Sequence, residues 1–195
     1  TYAGFKTNAP KWVISLLKEW YGDAATVDND YCYDYIPKLD AGQNFSFLRL
    51  TEDLVNGKVR MMFSHGTNPA ASGANASILR DGLANLEMLV CEDLWETETA
   101  GFWHRPGVDP TSIQTEVFML PMAAHYEKQG TTVNSGRLIT WRYQAVQPLG
   151  DCIDDGQFYW MLGNKLKEIY KSNPGVFPDP ILDMYWDYGT DGHFD

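Results

Sequence analysis

One stretch constrains this chain more than any other. Val59-Arg60-Met61-Met62-Phe63-Ser64 is a short apolar run that leads directly into Gly66-Thr67-Asn68-Pro69. A run of that length, closed by a turn, predicts a buried strand. Residues 75–86 follow with Ile78, Leu79, Leu83 and Leu86 at helical spacing, and Met88-Leu89-Val90-Cys91 is a second apolar run closed by Glu92-Asp93. Strand, turn, helix, strand is a βαβ unit, which makes the two strands parallel and predicts a right-handed crossover. Val117-Phe118-Met119-Leu120 supplies a third strand, ended by Pro121. The expected fold class is therefore α/β, a doubly wound, mostly parallel sheet with flanking helices.

The rest of the chain is read around that unit. Pro10 and the spacing of Val13, Leu16, Leu17 and Trp20 predict a helix over 10–21, stopped by Gly22. A second helix is expected over 45–55 and a last one over 158–170. The aromatic stretch 28–35 reads as loop, and 130–141 as a hairpin or wide turn around Asn134-Ser135-Gly136. This predicts a helical and loop lead-in over 1–57, an α/β core over 58–172 and a loop-rich tail over 173–195.

Composition narrows the function classes. With 26 acidic against 15 basic residues the formal charge is −11, which disfavours nucleic acid and anionic membranes as partners. No apolar run approaches the roughly 18 residues that cross a bilayer, so no direct membrane insertion is expected. Cys32, Cys91 and Cys152 are widely spaced and form no CxxC pair, so no metal or cluster site is expected within them. The start, Thr1-Tyr2-Ala3-Gly4-Phe5, has neither an initiator Met nor a leader pattern, which suggests a piece of a longer or processed chain.

In open parallel sheets ligands sit outside the carboxyl ends of the strands. Here those places hold Gly66-Thr67-Asn68-Pro69 and Glu92-Asp93. A glycine turn lets backbone N–H groups approach a phosphate, and a carboxylate at the next strand end accepts from ribose hydroxyls or a guanine edge. There is no GxGxxG and no GxxxxGK[ST], so neither standard nucleotide fingerprint is present. The plainer reading is that these residues only end strands. His65, His104, His125 and His193 show no metal-ligand spacing and read as structural or surface residues. Glu127-Lys128 is either a surface pair or a place where Lys128 holds an anion, and Asp154-Asp155 complements the dipole of the last helix.

The ordered set of motifs resembles the molybdopterin-dependent oxidoreductases of the dimethyl sulfoxide reductase family. It comprises Gly66-Thr67-Asn68-Pro69, Leu83 through Asp93, Glu96-Thr97-Glu98-Thr99-Ala100, Leu120-Pro121, Glu127-Lys128-Gln129-Gly130-Thr131, Asn134-Ser135-Gly136-Arg137 and Pro148-Leu149-Gly150. Trp20-Tyr21-Gly22-Asp23, Thr26 through Tyr31 and Ile113 through Phe118 are similar to the catalytic subunit of respiratory formate dehydrogenases. The extra loop Gly101–Ser112 is shared mainly with that branch.

The resemblance implies a segment of a large selenocysteine-containing, molybdenum or tungsten subunit exported to the periplasm. It implies two molybdopterin guanine dinucleotides per full subunit, a [4Fe–4S] cluster elsewhere in that subunit, oxidation of formate to carbon dioxide and a small iron–sulfur partner subunit. It further implies cofactor contacts at Asn68, Glu92, Asp93, Lys128 and Asp155, around the Gly66-Thr67 turn. The family's catalytic residue and metal ligands are not in this sequence, so no catalytic and no metal-ligand residue is assigned. Thr115-Glu116 stands where many relatives have Ala-Asp, and Ala74 where Pro is commoner. Two other readings remain: a nitrate or sulfur-compound reductase of the same family, and a non-catalytic relative acting as electron-transfer scaffold.

Overall fold

The computed structural model describes residues 10–38, 42–44 and 46–194. The chain start Thr1–Phe5, and Phe45 at the expected head of the second helix, lie outside the described residues. By contacts the chain forms two compact units, one of residues 44–155 and one of residues 1–43 with 156–195.

The 44–155 unit is built on the expected βαβ pattern. Strands β1 (Met61–His65), β2 (Met88–Asp93) and β3 (Glu116–Pro121) form a three-stranded sheet in the order β1-β2-β3, with both pairings parallel. Helix α2 (Phe47–Val55) is capped by the Ser46 hydroxyl, which accepts the Arg49 N–H at 3.3 Å. A short helix α3 (Pro69–Ser72) precedes α4 (Ala76–Leu83) in the β1–β2 crossover. Leu54 of α2, Leu79 and Leu83 of α4, and Leu89 and Cys91 of β2 pack with Ala70, Leu86, Ala100 and Phe102 into one buried core. A Cβ at Gly82 would lie 2.8 Å from the Leu54 Cβ, so glycine is what lets α2 and α4 close on one another.

The sequence reading of a single turn at 66–69 is extended by α3, because Pro69 is already a first helical residue. The 130–141 region resolves as an antiparallel hairpin, β4 (Gly130–Val133) with β5 (Ile139–Arg142). The Asn134 side chain accepts the Gly136 N–H at 2.8 Å inside its loop.

The other unit contains α1 (Pro10–Tyr21), most of α5 (Asp155–Ser172), the short α6 (Asp179–Leu182) and a small ribbon, β6 (Gly189–Thr190) with β7 (His193–Phe194). α1 buries Val13, Leu17 and Tyr21 at four-residue spacing. The 28–35 stretch expected as loop is a 3₁₀ segment over Asp30–Tyr35. Tyr31 and Cys32 sit there at φ 57° and 61°, in the left-handed region. The Asn29 side chain holds that backbone: its carbonyl accepts from Thr26 and Cys32 N–H, and its amide donates to Ala24 O at 2.7 Å.

Candidate functional site

The carboxyl ends of β1 and β2 gather polar side chains. In register, the last residue of β1, His65, lies beside Glu92 of β2. The Glu92 side chain is fully buried, and its Oε2 is 2.6 Å from His65 Nδ1. The other ring nitrogen, Nε2, lies 3.5 Å from Asp155 Oδ1. The second oxygen of Asp155 accepts from Lys128 Nζ. Glu92, His65, Asp155 and Lys128 thus form one chain of alternating acid and base. An imidazole with a proton on each nitrogen can donate to both carboxylates, and a buried carboxylate requires such a partner.

The backbone sets this arrangement. Gly66 turns at φ +57°, and its N–H returns to Glu92 O at 2.8 Å. Asp155 starts α5, where a carboxylate suits the helix dipole. Glu127 does not pair with Lys128. Its buried carboxylate accepts the Ala124 N–H at 2.7 Å, and its carbonyl accepts from the Gln144 amide, so it braces the turn that delivers Lys128.

Asn68 belongs to a second group. Its Oδ1 accepts the Thr99 hydroxyl at 2.9 Å, and its amide donates to Glu98 Oε2. Fully buried Thr99 also accepts the Ala70 N–H at 3.1 Å. The Asn68 hydrogen bond leads the effects that hold the Glu98 carboxyl below the ordinary carboxylate range. Thr67 is tied to this loop through its carbonyl, which accepts from Ser64 Oγ at 3.0 Å. Asp93 Oδ1 accepts the Leu94 N–H at 2.8 Å.

The sequence-predicted residues therefore fall into two hydrogen-bonded groups, Glu92–Asp155–Lys128 and Asn68 with its Thr99 strap, with Gly66-Thr67 in the turn and Asp93 on the following backbone. His65 is the residue that sequence reasoning missed. The signal available was its place as the last residue of a buried strand, immediately before the glycine turn. Among the described residues, no group of three or more His, Cys, Asp or Glu has the geometry to hold a metal ion. Nor is any described helix long and apolar enough to cross a membrane.

A parallel sheet with acids, an amide and a cation collected at its carboxyl ends is the arrangement of an α/β ligand-binding domain. No family model matches the chain. Among curated proteins it is 44% identical over 184 residues to "Formate dehydrogenase 2 subunit alpha (cytochrome c-553)" of Nitratidesulfovibrio vulgaris, covering 94% of this chain. It is 37% identical over 195 residues to the formate dehydrogenase subunit alpha of Megalodesulfovibrio gigas, covering 99% of this chain. Against the nitrate-inducible formate dehydrogenase major subunit of Escherichia coli it is 37% identical over 186 residues, covering 93% of this chain. The chain spans 18% to 19% of the length of these relatives. It is a segment homologous to formate dehydrogenase alpha subunits.

Proposed function

We propose that this chain is the part of a formate dehydrogenase alpha subunit that holds one molybdopterin guanine dinucleotide. The observation that carries the proposal is the His65–Glu92–Asp155–Lys128 chain at the carboxyl ends of a parallel sheet. The donor set fits the group. Glu92, Asp93 and Asp155 offer acceptors for guanine N–H and ribose O–H, and Lys128 offers a point charge for a phosphate. The Asn68 loop is fixed by buried Thr99 and presents the glycine turn.

In the whole enzyme the bound molybdenum or tungsten would supply the two-electron oxidation, in which formate gives carbon dioxide, one proton and two electrons. The residues of this segment would bind and orient: carboxylates against the nucleotide, Lys128 against negative charge, and His65 keeping Glu92 and Asp155 in place. The two electrons would leave through a [4Fe–4S] cluster elsewhere in the subunit to a small iron–sulfur partner, in the periplasm. The formate reading is favoured over nitrate or sulfur-compound reduction, and over a scaffold role, because each of these three relatives is named a formate dehydrogenase.

The test is Lys128→Ala in the full-length enzyme, with guanine nucleotide and metal counted per subunit. Nucleotide content should fall several-fold, while turnover per bound metal stays at the parent value. Full nucleotide content in the variant would overturn the assignment.

A further inference from the structure

The β1–β3 sheet has two faces, and only one is covered within its own unit. By register, Met62, Leu89 and Val117 make one row across the sheet, and Ser64, Cys91 and Met119 another. Their apolar members pack in the core with Leu54, Leu79 and Leu83 of the helices. The opposite face carries the row Phe63, Val90, Phe118, followed by Met61 and Met88. Phe63 and Phe118 are each 41% exposed and Met61 is 51% exposed, and none of these five belongs to the core cluster.

Parallel sheets occur almost only with both faces covered, because their crossovers lay helices on each side. Two phenylalanines and a methionine aligned on one face make a contiguous apolar patch, and such patches mark a contact surface. We infer that this face seats an amphipathic helix contributed by the same polypeptide outside these 195 residues. Two observations select that occupant. The chain spans 18% to 19% of its relatives' length, so most of each relative lies beyond the matched stretch. The row is centred on Val90 of the middle strand, so its cover belongs to the fold rather than to a transient encounter. The helix presents small and branched apolar residues at i, i+3 or i+4, and i+7, packed about 10 Å above the sheet. This holds whether or not the strand ends bind a nucleotide.

The test uses the full-length subunit in two independent ways. Hydroxyl-radical footprinting of the unmutated protein should find Phe63 and Phe118 oxidised as slowly as fully buried Phe102. Phe118→p-benzoylphenylalanine, irradiated, should cross-link to a peptide of the same polypeptide outside this chain, and that peptide should carry the helical apolar period. Fast oxidation of both phenylalanines would overturn the inference. So would cross-links that run to a second copy, to another protein, or to residues 10–38 or 156–194 of this chain.

Discussion

The same two strands carry an ion pair at each end, and the two pairs differ in almost everything but topology. At the amino ends, Arg60 and Glu87 form a two-pronged pair at 2.7 and 2.8 Å. At the carboxyl ends, His65 and Glu92 meet at 2.6 Å. Both pairs span 27 residues of sequence, because one parallel register creates both. The Arg60 and Glu87 side chains are 78% and 63% exposed, whereas that of Glu92 is at 0%. The difference lies in the segments that adjoin the strands. The glycine turn, the Lys128 turn and the first residue of α5 all converge on the carboxyl ends, and nothing comparable converges on the amino ends. The register thus gives both ends a charged pair, and burial turns only one of them into a site.

The largest effect should come from breaking the buried end. His65→Ala leaves Glu92 as an enclosed carboxylate without its ring partner. Removing one member of a fully buried pair costs about 3–5 kcal/mol; His65 reaches solvent on one side, so about 2–3 kcal/mol is expected here. Glu92→Gln keeps an acceptor for the ring N–H and should cost about 1 kcal/mol. Thermal unfolding of the two variants checks the order. Equal shifts would mean that charge at Glu92 does not matter.

A smaller effect reports the same charges from within the strand. Burial first, then the charges of Asp93 and Glu92, push the Cys91 thiol up to about 11. The folded chain keeps a proton that the unfolded chain releases near 9.0. This contribution to stability is therefore whole below about pH 9 and is lost as pH rises toward about 11. Alkylation of native Cys91 should follow that rise, and Asp93→Asn should lower its midpoint more than Glu92→Gln does. Midpoints unmoved by either substitution would show that the strand-end charges do not reach the thiol.

How legible all this was depends on how local each signal is. The three strands and their parallel order were readable because each is a short apolar run bounded by turn residues. α1 was readable in full because Pro10 opens it and four-residue spacing runs through it. α3 was hidden because Asn68-Pro69 serves a turn and a helix start equally well. The 3₁₀ segment over Asp30–Tyr35 was hidden because Tyr31 and Cys32 are not residues that announce a left-handed backbone; the Asn29 side chain imposes it. Asp155 was legible only as a helix-start acid, and Lys128 only as a loose cation. Their pairing joins residues 27 apart through turns whose geometry no pattern encodes. His65 was passed over for the same reason: its partners stand 27 and 90 positions away.

The smallest effect sharpens the comparison most. Arg60→Ala removes a pair with short distances and two hydrogen bonds, which on geometry alone looks stronger than His65–Glu92. Both side chains stay in water after the change, so neither is left with an unmet charge in a low-dielectric site. Side-chain ordering offsets much of the attraction, and salt screens what remains. The expected shift in Tm is within about 1 °C at physiological ionic strength. A shift as large as that of His65→Ala would mean that register and distance, rather than burial, decide what a strand-end pair contributes. The contrast between the two ends would then vanish.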